Sequence, residues 1–321
     1  GASRPRVARD LVAAIRDDHK TRTFILIGDP GSGKSVSVRR LARELYERVS
    51  ETGIVPLYIN LREWDGPREP TDSDIVEFIS KYLLRVSGRD GQSFLKNWYE
   101  KMLSQGLFFF LLDSFDEMPV VMDCDDRSPE LKKISEAFDR FFHDIHQCRG
   151  LLSSRPFRQP VGVRGRRLNV RPFTETQIRK AMKKWLKGYN LDADAIVRKI
   201  FIERPELAPA IRNPFMADLI SQYVINYRNK LPATYYELYE HYVSKRLNDS
   251  ISFLKQLGLD TADVITAATQ IAWTMYNTSD TGLEIESSKL ETLLTDSRLA
   301  DKIKAMNFSR IARLGGIGRD R

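Results

Sequence analysis

The run Gly28, Asp29, Pro30, Gly31, Ser32, Gly33, Lys34, Ser35 constrains this chain more than any other stretch, because it meets every fixed position of G-x-x-x-x-G-K-[ST]. A chance match to that pattern arises in about one chain of this length in a hundred. The flanking residues make chance weaker still. Thr23-Phe-Ile-Leu-Ile27 is an apolar run that stops at Gly28, and Val38, Leu41, Ala42, Leu45 and Val49 follow at spacings of three and four. The pattern predicts a strand, a glycine-rich loop and a helix. In such a loop glycines let successive backbone N–H groups turn inward on phosphates, and the helix N-terminus adds its positive dipole end. Lys34 is then expected at the β- and γ-phosphates and the Ser35 hydroxyl on Mg2+, with Val36 closing the nucleotide-binding stretch that begins at Gly28.

Ile54-Val-Pro-Leu-Tyr-Ile-Asn-Leu61 reads as a second strand, with Pro56 suited to its entry. Leu107-Phe-Phe-Phe-Leu-Leu112 is apolar at every position, as expected of a central strand with helices on both faces. A helix carrying Leu131, Ile134, Phe138, Phe141 and Ile145 on one face comes next, followed by a buried strand at Gly150-Leu-Leu-Ser153. Strand and helix alternate to about residue 170, which predicts a doubly wound parallel α/β domain of the P-loop NTPase type over residues 1–171. Beyond Pro172 the strand signals fade. Thr174 is a candidate N-cap, with Gln177 three residues on, and helices are expected at about 174–187, 192–203, 214–228 and 234–256. Gly188, Pro205, Pro209 and Pro232 separate them. Two more helical stretches, about 260–277 and 287–306, lead to Gly315, Gly316 and Gly318. A small helical domain is therefore expected at 172–246, and a further, winged-helix-like helical region at 247–321.

A magnesium-nucleotide site needs a carboxylate at the end of a neighbouring strand, and Asp113 directly ends the central run. The small residue Ser114 follows, then Phe115, Asp116 and Glu117. One of these two acids is the expected base that orients attacking water, Asp116 first and Glu117 second. The next strand ends in Ser153-Ser154-Arg155-Pro156, which puts a cation at the sheet edge where ligands of such sheets bind. The planar fork of Arg155 suits a γ-phosphate.

The formal net charge of +8 is uneven, since Arg149, Arg155, Arg158, Arg164, Arg166, Arg167 and Arg171 fall in one stretch without an acid. A solvated loop with one nucleotide-contacting arginine is the preferred reading over nucleic-acid contact, because Phe157 and Phe173 merely flank the stretch and do not interleave it. Cys124 and Cys148 are too few to frame a disulfide scaffold, and His143 and His146 are expected on an exposed helix, not on a metal. No run of about 18 apolar residues occurs, and the first six residues lack the apolar stretch of a signal peptide. A cytoplasmic chain with no membrane partner is expected, and its start, Gly-Ala-Ser without Met, reads as a tag remnant on a fragment.

Taken together, the P-loop at 28–35, Pro56-Leu-Tyr-Ile-Asn-Leu-Arg-Glu63, Leu-Leu-Asp113-Ser-Phe-Asp116-Glu117 and Ser-Ser-Arg155-Pro resemble the NACHT domain of the STAND class of P-loop ATPases. The small residue after Asp113, with the acidic pair beyond it, separates that pattern from AAA+ proteins, in which Glu follows directly. Arg171-Pro-Phe-Thr-Glu-Thr-Gln-Ile178 is similar to the family's entry into its small helical domain, and Asn213-Pro214-Phe215 to the motif whose proline packs on adenine. Leu231-Pro-Ala-Thr-Tyr-Tyr-Glu-Leu-Tyr239 resembles the link toward a winged-helix domain, whose ADP-contacting histidine would lie beyond Arg321.

The resemblance implies ATP or ADP with Mg2+, slow regulatory hydrolysis, homo-oligomers in the ATP state, and effector and sensor domains outside this chain. It also implies signalling in innate immunity, including antiviral defence. Two other classes stay open: an AAA+-like ATPase stimulated by nucleic acid, suggested by the arginine stretch, and a small-molecule kinase.

Overall fold

The computed structural model of the chain describes residues 7–277, apart from 9, 146 and 257. Its frame is one sheet of five strands: β1 Thr23–Ile27, β2 Val55–Asn60, β3 Phe108–Asp113, β4 Arg149–Ser154 and β5 Arg166–Asn169. Their order is β2-β3-β4-β1-β5, and every pairing is parallel. The doubly wound P-loop NTPase fold expected from the alternation of strands and helices is the one observed, followed by helices alone.

Strand β3 shows why the sheet forms. All six of its residues are buried. Phe108, Phe110 and Leu112 join one core, while Phe109 and Leu111 join the other, because successive side chains of a strand point to opposite faces. The first core is filled by the helices Asp72–Phe94 and Pro129–Asp144, with Phe110 meeting Phe141 edge-on at 5.4 Å and Phe115 meeting Phe138 at 5.3 Å. The second packs Val38 and Leu41 of the helix Lys34–Glu47 and Ile15 of the helix Leu11–Arg16.

Three findings depart from the sequence reading. First, Asp113 does not end the strand beside the P-loop strand, since β4 lies between β1 and β3. The connection after β1 leads one way across the sheet and the one after β4 leads the other, so the crevice that receives ligands opens where these two strands meet. Second, Arg166 and Arg167 of the arginine-rich stretch lie not in a loop but in β5, an edge strand paired to β1. Third, residues 72–94 form a helical stretch, kinked at Gly88, that the strand-centred reading passed over. Its signals are present: a reciprocal cap between Thr71 and Asp74, and Ile75, Phe78, Ile79, Tyr82 and Leu83 buried at helical spacing. Pro56 is the second residue of β2, tolerated there because β2 is a sheet edge.

The chain divides into two units, one of residues 1–178 with 209–216, the other of 179–208 with 217 onward. In the second, Ile196, Val197, Ile200, Leu219, Ile220, Val224, Leu238 and Leu247 are buried. They lie on the helices Ala193–Glu203, Pro214–Asn226 and Tyr235–Asp249, and the last of these is capped by Thr234. The helix expected over 234–256 is broken at Ser250 and resumes as Ile251–Gln256. The stretch expected at 287–306 and the glycines at 315, 316 and 318 lie outside the described residues. Among the described residues no helix is long and apolar enough to cross a membrane.

Candidate functional site

The loop after β1 is anchored to the sheet by the Gly28 N–H, which donates to the Ser154 carbonyl of β4 at 3.3 Å. Within it the Ser32 N–H turns back to the Asp29 carbonyl at 3.1 Å. Gly33 takes φ +86°, a left-handed backbone that only glycine adopts freely, and so starts the helix Lys34–Glu47 with no side-chain cap. The first-turn N–H groups, Val36 included, have no intrahelical acceptor and point out of the helix end. The Val36 side chain is 69% exposed, so its backbone is what it can bring to the loop.

The Lys34 ammonium donates to the Gly28 carbonyl at 2.6 Å and the Asp29 carbonyl at 3.2 Å. Burial pulls the Lys34 pKa down, and the carboxylates of Asp116, Glu117 and Asp113 oppose that, with Arg155 adding to the fall. This is a loop shaped for phosphates, with a cation already directed at it.

Asp113, 2% exposed at the end of β3, is held from both neighbouring strands. The Tyr58 hydroxyl on β2 donates to its Oδ2 at 2.9 Å, and the Ser153 hydroxyl on β4 donates to its Oδ1. Ser153 in turn accepts the Ser114 N–H at 2.9 Å. Burial, then the Asp113 charge, push the Tyr58 phenol up to about 12, so it stays a donor across the working pH range. Among the described residues no cluster of three or more His, Cys, Asp or Glu could hold a metal unaided. A nucleotide-bound Mg2+ needs none, because one or two protein oxygens complete a shell otherwise made of phosphate and water. Ser35 and an oriented Asp113 fit that requirement. His143 is exposed near the end of its helix, and His146 lies outside the described residues.

Directly after Asp113 the backbone turns sharply. Ser114 takes φ +70° and ψ +52°, which drops Phe115, Asp116 and Glu117 into a buried single turn. The Arg155 N–H donates to Asp116 Oδ1 at 3.0 Å and its Nε stands 3.2 Å from Oδ2. The Arg155 guanidinium also bonds Glu117, and Arg62 pairs with the other oxygen of Glu117. Two acids and two arginines thus balance in one buried cluster, the arrangement that lets charges leave water. Burial raises the Asp116 pKa, opposed first by Arg155. The sequence reading named Asp116, Glu117 and Arg155 but missed Arg62, which comes from the turn after β2. The available signal was an arginine at the carboxyl end of a strand in the same sheet.

The left-handed backbone at Ser114 gives a direct prediction. Ser114→Val is expected to lose about 1–3 kcal/mol of stability, since a β-branched side chain resists that conformation, while Ser114→Gly is expected to lose none. Thermal melts of the three proteins check this, and a valine variant that melts with the wild type would refute it.

The arginine stretch is not the solvated loop expected. Arg149 donates to the carbonyls of Thr21 at 3.0 Å and Asp18 at 2.5 Å and stacks its cation over Phe24 and Phe109. Arg158, 8% exposed, donates to the Cys124 carbonyl at 2.5 Å. Arg164 pairs with Asp139, Arg166 with Asp18, and Arg167 bonds Gln159. Carboxylates from distant parts of the chain meet Arg155, Arg164 and Arg166, which a local charge count does not reveal, while Arg164, Arg167 and Arg171 stay exposed. Cys124 and Cys148 are buried free thiols.

Asn213 caps the helix Pro214–Asn226, its Oδ1 accepting the N–H groups of Phe215 at 3.0 Å and Met216 at 3.4 Å. The same segment touches the P-loop, within one unit of the chain. The Asn213 amide donates to the Pro30 carbonyl at 2.8 Å and the Phe215 N–H to the Gly31 carbonyl at 3.2 Å. The Pro214 ring lies 4.0 Å from where a Cβ on Gly33 would stand.

The family model described as the NACHT domain matches residues 22–189. No match was found among curated proteins. Solved structures with a similar fold include the ORC1 protein of Aeropyrum pernix in complex with DNA, at 16% identity and a TM-score of 0.44 over 95% of this chain and 78% of that one. A STAND protein with a tetratricopeptide-repeat sensor from Pyrococcus horikoshii is similar at 11% identity and a TM-score of 0.40, over 76% of this chain and 33% of that one. At these values neither likeness bears on what this chain does.

Proposed function

We propose that this chain, which belongs to the NACHT family of P-loop NTPases, binds Mg·ATP, hydrolyses it slowly, and uses its nucleotide state as a conformational and oligomerisation switch. The observation that carries this reading is the commitment of Arg155 to both Asp116 and Glu117 at the edge of the phosphate loop. A γ-phosphate offers that guanidinium a competing partner of the same charge. Exchange between carboxylates and phosphate gives the site two arrangements that ATP and ADP bias differently, which is what a switch requires.

In this reading Lys34 and the first-turn N–H groups hold the β- and γ-phosphates, and Ser35 and Asp113 hold Mg2+, with the Pro214 ring against the adenine. The metal ion supplies charge neutralisation and a template for the phosphate oxygens. Asp116 orients water and accepts its proton, with Glu117 as the second candidate. Asp116 is engaged by both the backbone N–H and the guanidinium of Arg155, so its carboxylate must give up a partner before it can face water, and this is the physical reason to expect slow turnover. Larger assemblies in the ATP state, effector and sensor domains outside this chain, and a cytoplasmic signalling role in innate or antiviral immunity follow as the wider proposal.

The test is the identity of the nucleotide retained on purification, read by chromatography after acid precipitation, followed by light scattering with ATPγS or ADP at two salt concentrations. A larger mass with ATPγS, reduced at high salt, is expected. The same mass in all four conditions would overturn the switch. Hydrolysis stimulated by DNA or RNA at physiological salt would point instead to a nucleic-acid-dependent ATPase.

A further inference from the structure

Two carbonyls of the phosphate loop are held by a segment nearly two hundred residues away in sequence: Pro30 by the Asn213 amide at 2.8 Å and Gly31 by the Phe215 N–H at 3.2 Å. A trans peptide is planar, with its C=O and N–H on opposite sides. A carbonyl tied outward therefore aims the next residue's N–H the other way. Fixing the Pro30 carbonyl orients the Gly31 N–H, and fixing the Gly31 carbonyl orients the Ser32 N–H, which meets the Asp29 carbonyl at 3.1 Å. The loop's phosphate-binding shape is thus braced from outside.

The fit is close. A Cβ on Gly31 would stand 2.8 Å from Asn213 Oδ1 and 2.8 Å from Phe215 Cβ, and Gly31 has φ +73°. Glycine at this position, which the P-loop pattern leaves open, is required by what sits against it as well as by its backbone. Asn213 divides its side chain between two duties. Its Oδ1 caps the helix Pro214–Asn226 and its amide nitrogen holds the loop. The helix it caps begins among residues 209–216, which group with the phosphate loop, while 217 onward belongs to the other unit.

We propose that Asn213 is a positioning residue that latches the phosphate loop to the start of the helix Pro214–Asn226 and thereby slows nucleotide exchange. This rests on the nucleotide-switch reading and adds a control point to it: movement of that helix start frees two loop carbonyls, and release of nucleotide becomes faster. Asn213 touches the loop and not the reacting atoms, so its effect is on dissociation and not on the hydrolytic step.

The two functions separate by substitution. Asn213→Ser keeps a neutral N-cap acceptor but is too short to reach Pro30, and Asn213→Asp keeps the cap and the length but has no N–H to donate. Both are expected to melt close to the wild type. Amide hydrogen exchange in nucleotide-free protein should quicken about two- to tenfold in peptides covering residues 28–36, the value of one neutral hydrogen bond, and stay unchanged in β3. Release of a fluorescent ADP analogue from Asn213→Ser should quicken by a similar factor, with the single-turnover hydrolysis rate unchanged. Exchange at 28–36 identical to wild type in both variants overturns the latch. So does a quickening spread over the whole chain, which marks a cap and nothing more. If the wild type binds no nucleotide the switch reading falls, whereas the exchange measurement, made without nucleotide, still decides whether Asn213 holds the loop.

Discussion

Lys34→Ala is expected to lower ATP affinity at least about a hundredfold, the equivalent of roughly 2.7 kcal/mol. Two losses add. The ammonium stands 2.6 Å from the Gly28 carbonyl and 3.2 Å from the Asp29 carbonyl, so it is directed at the loop. Burial disfavours its charge, yet three carboxylates stand by to retain it. Alanine leaves the phosphate charge uncompensated in a partly buried site, where one charge-assisted contact contributes about 1.5–3 kcal/mol and Lys34 is placed to make two. It also removes the link between the loop's first carbonyls and the helix that follows. Titration with a fluorescent ATP analogue measures the effect. Affinity within threefold of wild type would remove Lys34 from the role assigned to it.

Asp116→Asn is expected to lower turnover by about a hundred- to a thousandfold while ATP affinity stays within about threefold, the range of a lost general base. Asparagine keeps the Oδ1 that accepts the Arg155 N–H at 3.0 Å, so the turn is preserved. What disappears is the charge that takes a proton from water and pairs the guanidinium. Arg155 then has Glu117 alone and is freer to meet a γ-phosphate, which predicts that this variant also retains ATP longer. The pH dependence has a definite sign. Burial raises the Asp116 pKa in the folded protein, so the folded state binds its proton more readily than the unfolded chain does. The stability tied to that proton is present below the ordinary carboxylate range and is lost as pH rises through the raised value. Asparagine removes this loss, so the variant should gain stability relative to wild type as pH rises from the ordinary carboxylate range to neutrality. Paired assays of ATP affinity and hydrolysis, with melts at the two ends of that pH range, check all three parts. Wild-type turnover in Asp116→Asn and in Glu117→Gln together would exclude the acidic pair from hydrolysis.

How far these roles could be read beforehand depended on the range of the interaction that creates them. The strand before Gly28, the loop glycines, the helix from Lys34 and the all-apolar β3 ending in Asp113 are written in contiguous residues, through periodicity and local backbone preference. The acidic pair was legible for the same reason. Its buried turn depends on Ser114, a small residue that accepts a left-handed backbone. Strand order was not legible. Nothing local says that β4 enters between β1 and β3, because pairing is selected by the packing of helices and cores far apart in sequence.

Charge behaved likewise. Seven arginines between 149 and 171 looked like a field open to phosphate or an acidic partner, yet Asp18, Asp139, Asp116 and Glu117 arrive from other elements to meet several of them. Arg62 enters the same cluster from the end of β2.

The sequence by itself determined that this chain has a P-loop between a strand and a helix, and which carboxylate ends the fully apolar strand β3. Each of those is a property of neighbouring residues and of the backbone geometry they allow. Only the tertiary structure decided that Arg155 is spoken for by both acids, that Asp113 is aimed by hydroxyls from two flanking strands, and that Asn213 reaches the Pro30 carbonyl. Hydrogen bonds and ion pairs select among all partners that folding brings within about 3 Å, and that choice is made in space, not along the chain.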